Sequence, residues 1–203
     1  MRPIELTMEA FGPYEKKTVV DFRELGKRSF FLIHGATGAG KTTILDAICY
    51  AFYGSASVAG RGSDTLRSRQ ASPDSNTYVR FQFSLGQKVY EIFRNPDYLR
   101  RKKYGDGTTL AKSDAELWRI MADGRQSIVT GTKNVTAKMT ELLGFASEQF
   151  RQVVLLPQGE FRRMLLASSA ERQEILETLF KTERFRRIEE MLKNQARDSA
   201  ARQ

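Results

Sequence analysis

The sequence predicts an α/β fold of the phosphate-loop NTPase class, and three neighbouring stretches predict it. Residues 35–42 read GATGAGKT, which fits the pattern of Gly, four residues, then Gly-Lys-Ser/Thr. Upstream, residues 30–33 form a short, wholly apolar run that is typical of a buried strand. Downstream, apolar residues recur at helical spacing until Gly54, which favours a helix from Thr42 to about Tyr53. This order of strand, loop and helix directs the helix N-terminus at bound phosphates.

Each residue type in the glycine loop suits a nucleoside triphosphate. Glycine allows positive φ and lets backbone N–H groups approach phosphate oxygens. Lys41 supplies a charge for the β- and γ-phosphates, and the Thr42 hydroxyl is a Mg²⁺ ligand. The predicted nucleotide-binding residues are Gly35, Ala36, Thr37, Gly38, Ala39, Gly40, Lys41, Thr42 and Thr43.

The composition allows a globular domain and excludes several other classes. Of the 203 residues, 40% are hydrophobic, which is enough for a core. The net charge of +9 favours a polyanionic partner such as nucleic acid, with ordinary solubilising charge as the alternative. Cys49 and His34 are the only residues of their types, so an internal disulfide and a histidine-based metal cluster are excluded. No apolar run would span a bilayer and no signal-peptide pattern is present, so we expect a cytoplasmic protein without a membrane partner.

The first two thirds of the sequence predict mainly short strands. Alternating or apolar runs predict strands at residues 4–10, 18–22, 78–85, 89–94, 117–121 and 127–129. The run at 78–85 turns into the next at Gly86-Gln87, which indicates a hairpin. The strands from residue 78 onward indicate an antiparallel lobe that is separate from the strand preceding the glycine loop.

Helical periodicity follows Gly131 and predicts a helical lobe. Helices are predicted around Val135 to Leu143, at 148–156, 161–166 and 170–180, and from Thr182 onward. In the last of these, Phe185, Ile188 and Leu192 recur at helical spacing. We interpret residues 1–181 as an ATPase domain and 182–203 as the base of a coiled coil, with an ordinary amphipathic terminal helix as the alternative.

Half of the expected catalytic apparatus is missing from the sequence. A nucleotide hydrolase normally carries an acidic residue at the end of an apolar strand to hold Mg²⁺. The nearest approach is at residues 117–123, and Arg119 interrupts it. Few parallel strands are predicted to flank residues 30–33, and hydrophobic sheet edges are seldom left bare. We therefore expect an N-terminal half-domain that needs another polypeptide segment.

A second motif is more specific than the glycine loop. Residues 154–161 read VLLPQGEF and resemble the Q-loop of the SbcC family, the bacterial ATPase subunits of SbcCD nucleases, which belong with the structural-maintenance-of-chromosomes-like ABC ATPases. The opening strand with Phe11-Gly12, the glycine loop, the helix after it and Ala170-Glu171-Arg172 agree with that family in order. The resemblance covers nearly the whole chain.

The resemblance implies an ABC-type split head that uses ATP and Mg²⁺. In that family the N-terminal half carries the phosphate loop and the Q-loop, and a coiled coil with a zinc hook separates it from the C-terminal half. The sequence ends where the coiled coil would begin, so no zinc site is expected in it. By the same resemblance, Lys41 and Gln158 are catalytic, Thr42 and Gln158 are Mg²⁺ ligands, and Gln158 also contacts the attacking water.

The resemblance also implies partners. These are the C-terminal half of the same head, a second head in an ATP-dependent dimer, an SbcD-type nuclease subunit and double-stranded DNA, in a nucleoid-associated protein that acts in DNA repair and recombination. The candidate nuclease contacts are Phe185, Ile188 and Leu192, although packing against a returning helix is the favoured interpretation. The candidate DNA contacts are residues 100–103, for which a solvated strand edge is the alternative. The sequence allows contacts with either the nucleotide or DNA for three further arginines, Arg61, Arg67 and Arg69.

Three other functions fit the glycine loop less well. A non-nuclease chromosome-architecture or recombination ATPase has the same kind of head, but the motif at 154–161 argues against it. A transporter ATPase would carry its signature and its Asp-Glu strand within a similar length. A small-molecule kinase fits the antiparallel lobe poorly. We expect negligible ATP turnover by this chain alone.

Overall fold

The structure is a computed structural model, and it describes residues 1–26, 28, 30–56, 66–102, 104–151, 168, 188–189, 191–195 and 197. The chain divides into two compact units, Met1–Ser147 and Glu148–Gln203. The predicted Q-loop with Gln158, the helices at 161–166 and 170–180, Arg61 and Phe185 lie outside the described residues. The predicted domain boundary at residue 181 stays a prediction.

A six-stranded antiparallel sheet organises the first unit, in the order β2-β1-β3-β4-β7-β8, and β5 and β6 form a separate two-stranded sheet. The strands are β1 (Arg2–Glu9), β2 (Thr18–Asp21), β3 (Tyr78–Leu85), β4 (Lys88–Asn95), β5 (Tyr98–Arg101), β6 (Thr108–Ala111), β7 (Asp114–Met121) and β8 (Gly124–Thr130). The helices are α1 (Lys41–Tyr53), α2 (Thr132–Leu143) and α3 (Ser147–Phe150), with a short 3₁₀ helix at Phe22–Leu25. The predicted antiparallel strands are confirmed.

Helix α1 packs on the apolar face of this sheet. Alternate residues of β3, including Phe81 and Phe83, are fully buried, as the period of two along the strand requires. The Phe52 ring meets both phenylalanines edge-on, at centroid distances of 5.4 and 5.0 Å. Each fully buried side chain of this size contributes roughly 1.5–3 kcal/mol. The sheet therefore fixes the helix whose N-terminus follows the glycine loop.

Both long helices end where the sequence places a glycine. Gly54 adopts φ 73° and donates its N–H to the Tyr50 carbonyl, and Gly144 adopts φ 75° and donates to Thr140. The left-handed conformation at this position satisfies a carbonyl that the helix leaves free. The predicted helices after the glycine loop and after Gly131 are therefore confirmed.

A buried arginine joins α1, β4 and α2. Arg94 lies on the buried face of β4 and is only 2% exposed. Its Nε donates to the Ala51 carbonyl at 3.1 Å and its Nη2 to the Phe52 carbonyl at 3.3 Å. The same guanidinium reaches α2 at the Thr132 carbonyl, 3.4 Å away, and at Thr136 Oγ1, 3.1 Å away. Burial lowers the pKa of Arg94 to about 10.

The predicted buried strand at residues 30–33 is wrong. The run has no strand hydrogen bonding, and Phe30 and Leu32 are 92% and 83% exposed. A strand needs a neighbour to take its N–H and C=O groups. Among the described residues, no strand of either sheet pairs with this run. The prediction of a buried strand rested on apolar character alone, and the run at 30–33 is exposed in the structure.

Candidate functional site

The glycine loop leads from residue 35 into helix α1, and its backbone needs glycine. Gly38 and Gly40 adopt φ values of 86° and 90°, in the region that L side chains rarely occupy. The loop is exposed along residues 35–39. An internal turn, in which the Ala39 N–H donates to the Ala36 carbonyl at 3.2 Å, shapes it. The predicted loop thus forms an open backbone cradle.

The ammonium group of Lys41 lies across the loop. Its Nζ donates to the carbonyl of Gly35 at 2.9 Å and to that of Ala36 at 2.7 Å. These carbonyls are neutral acceptors, and charged phosphate oxygens form stronger hydrogen bonds with an ammonium. The lysine is therefore placed to exchange its contacts with the loop for contacts with a phosphate.

The N-terminus of α1 adds further donors to the site. Gly40 is the N-cap and no side chain caps the helix. The first N–H groups of a helix lack intrahelical partners, and the helix dipole favours negative charge there. Thr42 is exposed in this first turn, so its hydroxyl is available to a metal. This donor set fits a polyphosphate with Mg²⁺.

A turn between β1 and β2 braces the end of the loop. A Cβ on Gly40 would lie 2.9 Å from Pro13 Cγ and from the Tyr14 hydroxyl. A Cβ on Gly12 would lie 2.6 Å from Thr43 Cγ2. The Tyr14 hydroxyl donates to the Gly40 carbonyl at 3.3 Å. The sequence did not predict this contact, because the contact depends on tertiary proximity.

The structure brings Lys41 and Thr42 together and leaves Gln158 untested, since that residue lies outside the described part of the chain. Within the described ranges, no group of three or more His, Cys, Asp or Glu side chains lies together in a way that would hold a metal ion. The assignment of Thr42 as a Mg²⁺ ligand stays a prediction.

Arg67 has a structural role. Its Nη1 donates to the Ser75 carbonyl at 3.0 Å and to the Thr77 hydroxyl, and its Nη2 donates to the Ser72 carbonyl at 2.8 Å. The guanidinium also lies over the Tyr98 ring, 4.9 Å from the centroid. These contacts stabilise the loop before β3, so the Arg67 guanidinium is engaged within the protein in this structure. Arg69 is exposed.

Of the predicted basic segment at 100–103, Arg100 and Arg101 end strand β5 of the β5–β6 hairpin and Lys102 follows them, whereas Lys103 lies outside the described residues. Arg101 and Lys102 are exposed, whereas Arg100 is half-buried. Leu99 pairs with Leu110 across the hairpin, and both side chains are exposed. The hairpin therefore presents charge and apolar surface together. No strand was predicted here from the sequence, because each strand has only four residues.

In the second unit, Ile188 and Leu192 lie in helical turns and are exposed. Both candidate partner contacts are therefore on a surface of the described residues. Among the described helices, none combines the length and the apolar character that a bilayer crossing requires.

Comparison with known proteins gives a family and several relatives. The model of the AAA domain family matches residues 5–203. The SbcC subunit of the SbcCD nuclease of Vibrio cholerae is 44% identical over 192 residues, which are 95% of this chain and 19% of that protein. The namesakes from Lactococcus lactis and Staphylococcus aureus (strain Newman) are 42% identical over 185 residues and 37% identical over 206 residues. These alignments cover 90% and 99% of this chain, and 18% and 19% of the relatives. The chain spans about a fifth of the length of these relatives.

Proposed function

Because the chain belongs to the AAA domain family, we propose that it is the ATP-binding half of the ATPase head of an SbcCD-type nuclease complex. Its resemblance to the SbcC family is confirmed by the relatives. One observation carries the proposal: the Lys41 ammonium lies across an open glycine loop at an uncapped helix N-terminus. This arrangement provides charge and backbone donors for a triphosphate without competing acidic groups in the loop itself.

The residues of the loop divide the work of binding. Lys41 exchanges the carbonyls of Gly35 and Ala36 for β- and γ-phosphate oxygens. The backbone N–H groups at the start of α1 hold the remaining phosphate oxygens. Mg²⁺, when bound, neutralises charge on the phosphates, and the Thr42 hydroxyl holds it. Gln158 is proposed to orient the attacking water, since a neutral amide both donates and accepts hydrogen bonds.

The exposed run at residues 30–33 supports the split-head part of the proposal. Its apolar side chains are adjacent to the phosphate loop and face solvent in the structure. We propose that a strand from the C-terminal half of the same head pairs with this run and covers it. Two such heads would then close on ATP and open after hydrolysis, which gates the access of DNA to the nuclease subunit. We also propose that residues 182–203 are the base of the coiled coil and that Ile188 and Leu192 pack on the returning helix, with the nuclease subunit as the alternative contact.

ATP turnover tests the split head. We expect negligible turnover by this chain, and measurable turnover when it is mixed with the C-terminal half of a relative's head. The Lys41→Ala variant is expected to abolish turnover in the mixture. Robust hydrolysis by the chain alone would contradict the half-domain. An inert mixture that still binds ATP would indicate a nucleotide-gated DNA clamp, and activation of a nuclease subunit by the mixture would exclude that alternative.

DNA binding by the β5–β6 hairpin is a separate prediction. Arg101 and Lys102 are both exposed, so each can neutralise a phosphate without reading sequence. In the assembled head, the Arg101→Ala/Lys102→Ala double variant is expected to reduce the slope of log affinity against log salt by about 2, since each lost phosphate contact removes roughly 0.9. Fluorescence anisotropy of duplex DNA at a series of salt concentrations measures this slope.

A control pair of equal charge makes the DNA experiment specific. Lys16 and Lys17 are adjacent and exposed in the β1–β2 connection. Their double alanine variant changes the net charge by the same amount and is expected to leave the slope nearly unchanged. Equal losses in both double variants would show that only net charge matters and would exclude the hairpin as a specific DNA contact.

A further inference from the structure

We propose that Tyr14 is a positioning residue of the phosphate loop, whose hydroxyl holds the peptide unit between Gly40 and Lys41 so that the Lys41 N–H faces the phosphates. The inference rests on the proposed ATP binding and deepens it. Tyr14 precedes the glycine loop by more than twenty residues, so the contact is a product of the fold. The inference rests on the rigid turn that carries Tyr14, on the contact of its hydroxyl with the Gly40 carbonyl, on the lack of a side chain at Gly40 and on the planarity of the peptide that follows.

The turn that carries Tyr14 is fixed at both ends. Phe11 N–H donates to the Tyr14 carbonyl at 2.9 Å, and Tyr14 N–H donates to the Phe11 carbonyl at 3.0 Å. The Gly12 N–H between them donates to the Leu66 carbonyl at 2.8 Å. Phe11 itself is fully buried. The tyrosine therefore stands on a rigid support and not on a free loop.

The phenol meets the glycine loop at its last glycine. Its hydroxyl donates to the Gly40 carbonyl at 3.3 Å, and the ring leaves no room for a side chain on Gly40. Tyr14 is half-buried there, and burial raises the pKa of its phenol. A phenol ordinarily keeps its proton at physiological pH and burial favours that form further, so the hydroxyl remains a donor.

The geometry of the peptide unit connects this contact to phosphate binding. A trans peptide is planar, so the Lys41 N–H points away from the Gly40 carbonyl. That carbonyl also accepts the N–H groups of Thr43 at 3.0 Å and Ile44 at 3.3 Å. A glycine at φ 90° has no side chain to restrict the rotation of the following peptide. Donors on the carbonyl side therefore set the direction in which the Lys41 N–H points.

Two ligands distinguish this role from a contact with the nucleoside. A residue that orients the loop affects every ligand that the loop holds, including inorganic tripolyphosphate. A ring that touches the base or the ribose affects only ATP. We expect Tyr14→Phe to weaken the binding of MgATP and of Mg-tripolyphosphate by the same factor, about two- to tenfold, which corresponds to one net hydrogen bond.

Isothermal titration calorimetry on this chain measures both affinities, and thermal unfolding measures stability. Tyr104→Phe is the matched control, because Tyr104 is 91% exposed and carries the same chemical change. Its affinities are expected to equal those of the unmodified chain. Tyr14→Phe is expected to lower the unfolding temperature relative to that control by no more than about 4 °C, since one net hydrogen bond is lost while the ring and its packing are kept.

Each other outcome overturns the inference. A loss confined to ATP assigns Tyr14 to the nucleoside, and unchanged affinities remove it from the site. A lower unfolding temperature with unchanged affinities means that the hydroxyl only supports the fold. If the unmodified chain binds neither ligand, or if Lys41→Ala changes neither affinity, the proposed nucleotide site itself fails, which is distinct from a failure at Tyr14 alone.

Discussion

Replacing Lys41 with alanine is expected to weaken ATP binding at least about a hundredfold while the chain stays folded. The ammonium donates to neutral carbonyls at 2.9 and 2.7 Å in the free loop, and these distances allow it to serve two acceptors at once. With phosphate oxygens as acceptors, each charge-assisted hydrogen bond contributes roughly 1.5–3 kcal/mol. Two such bonds correspond to about a hundredfold or more in affinity.

The effect on stability should be small, because the carbonyls of Gly35 and Ala36 lie in an exposed loop and water replaces the ammonium. Lys88→Ala is the matched control, since Lys88 is an exposed lysine at the start of β4. Calorimetric titration with MgATP gives the affinities and urea unfolding gives the stabilities. An affinity of Lys41→Ala within a few-fold of the control would refute the assignment of the lysine to the phosphates.

Local signals sufficed for the elements that the sequence predicted correctly. Helix α1 and helix α2 each carry a helical apolar stripe and a terminal glycine, and β3 alternates strictly over eight residues. These features act within one or two turns of chain, so no knowledge of the rest of the fold is needed. The order of the glycine loop and the helix followed for the same reason.

The failures share a cause, which is dependence on distant partners. Residues 30–33 have the composition of a buried strand, yet their burial depends on a neighbouring strand that the described residues do not supply. Tyr14 reaches Gly40 only because the fold brings the β1–β2 turn to the loop. Arg94 did leave a signal: it stands in phase with Tyr90 and Ile92 on the buried face of β4. A charge in that phase predicts a buried network, although its acceptors cannot be identified from sequence.

Replacing Arg94 with methionine removes the hydrogen bonds that join β4 to α1 and α2. We expect the Arg94→Met variant to lose about 2–4 kcal/mol in the free energy of unfolding. Methionine fills much of the volume but leaves the carbonyls of Ala51 and Phe52, at the end of α1, without the guanidinium donor. A hydrogen bond to a charged group contributes roughly 1.5–3 kcal/mol to stability, and two such bonds are lost. Burial also lowers the pKa of Arg94 to about 10, so the fold holds this charge at a cost, and removing it offsets part of the loss.

Urea unfolding of Arg94→Met and of Arg69→Met, an exposed arginine with the same chemical change, measures the difference. Arg94→Lys is expected to fall between the unmodified chain and Arg94→Met, since an ammonium lacks the planar fork that reaches both α1 and α2. Equal stability in Arg94→Met and Arg69→Met would mean that desolvation cancels the hydrogen bonds. A loss of stability in Arg94→Met but not in Arg69→Met would show that Arg94 stabilises helix α1 at its C-terminal end. That end is opposite to the proposed phosphate site.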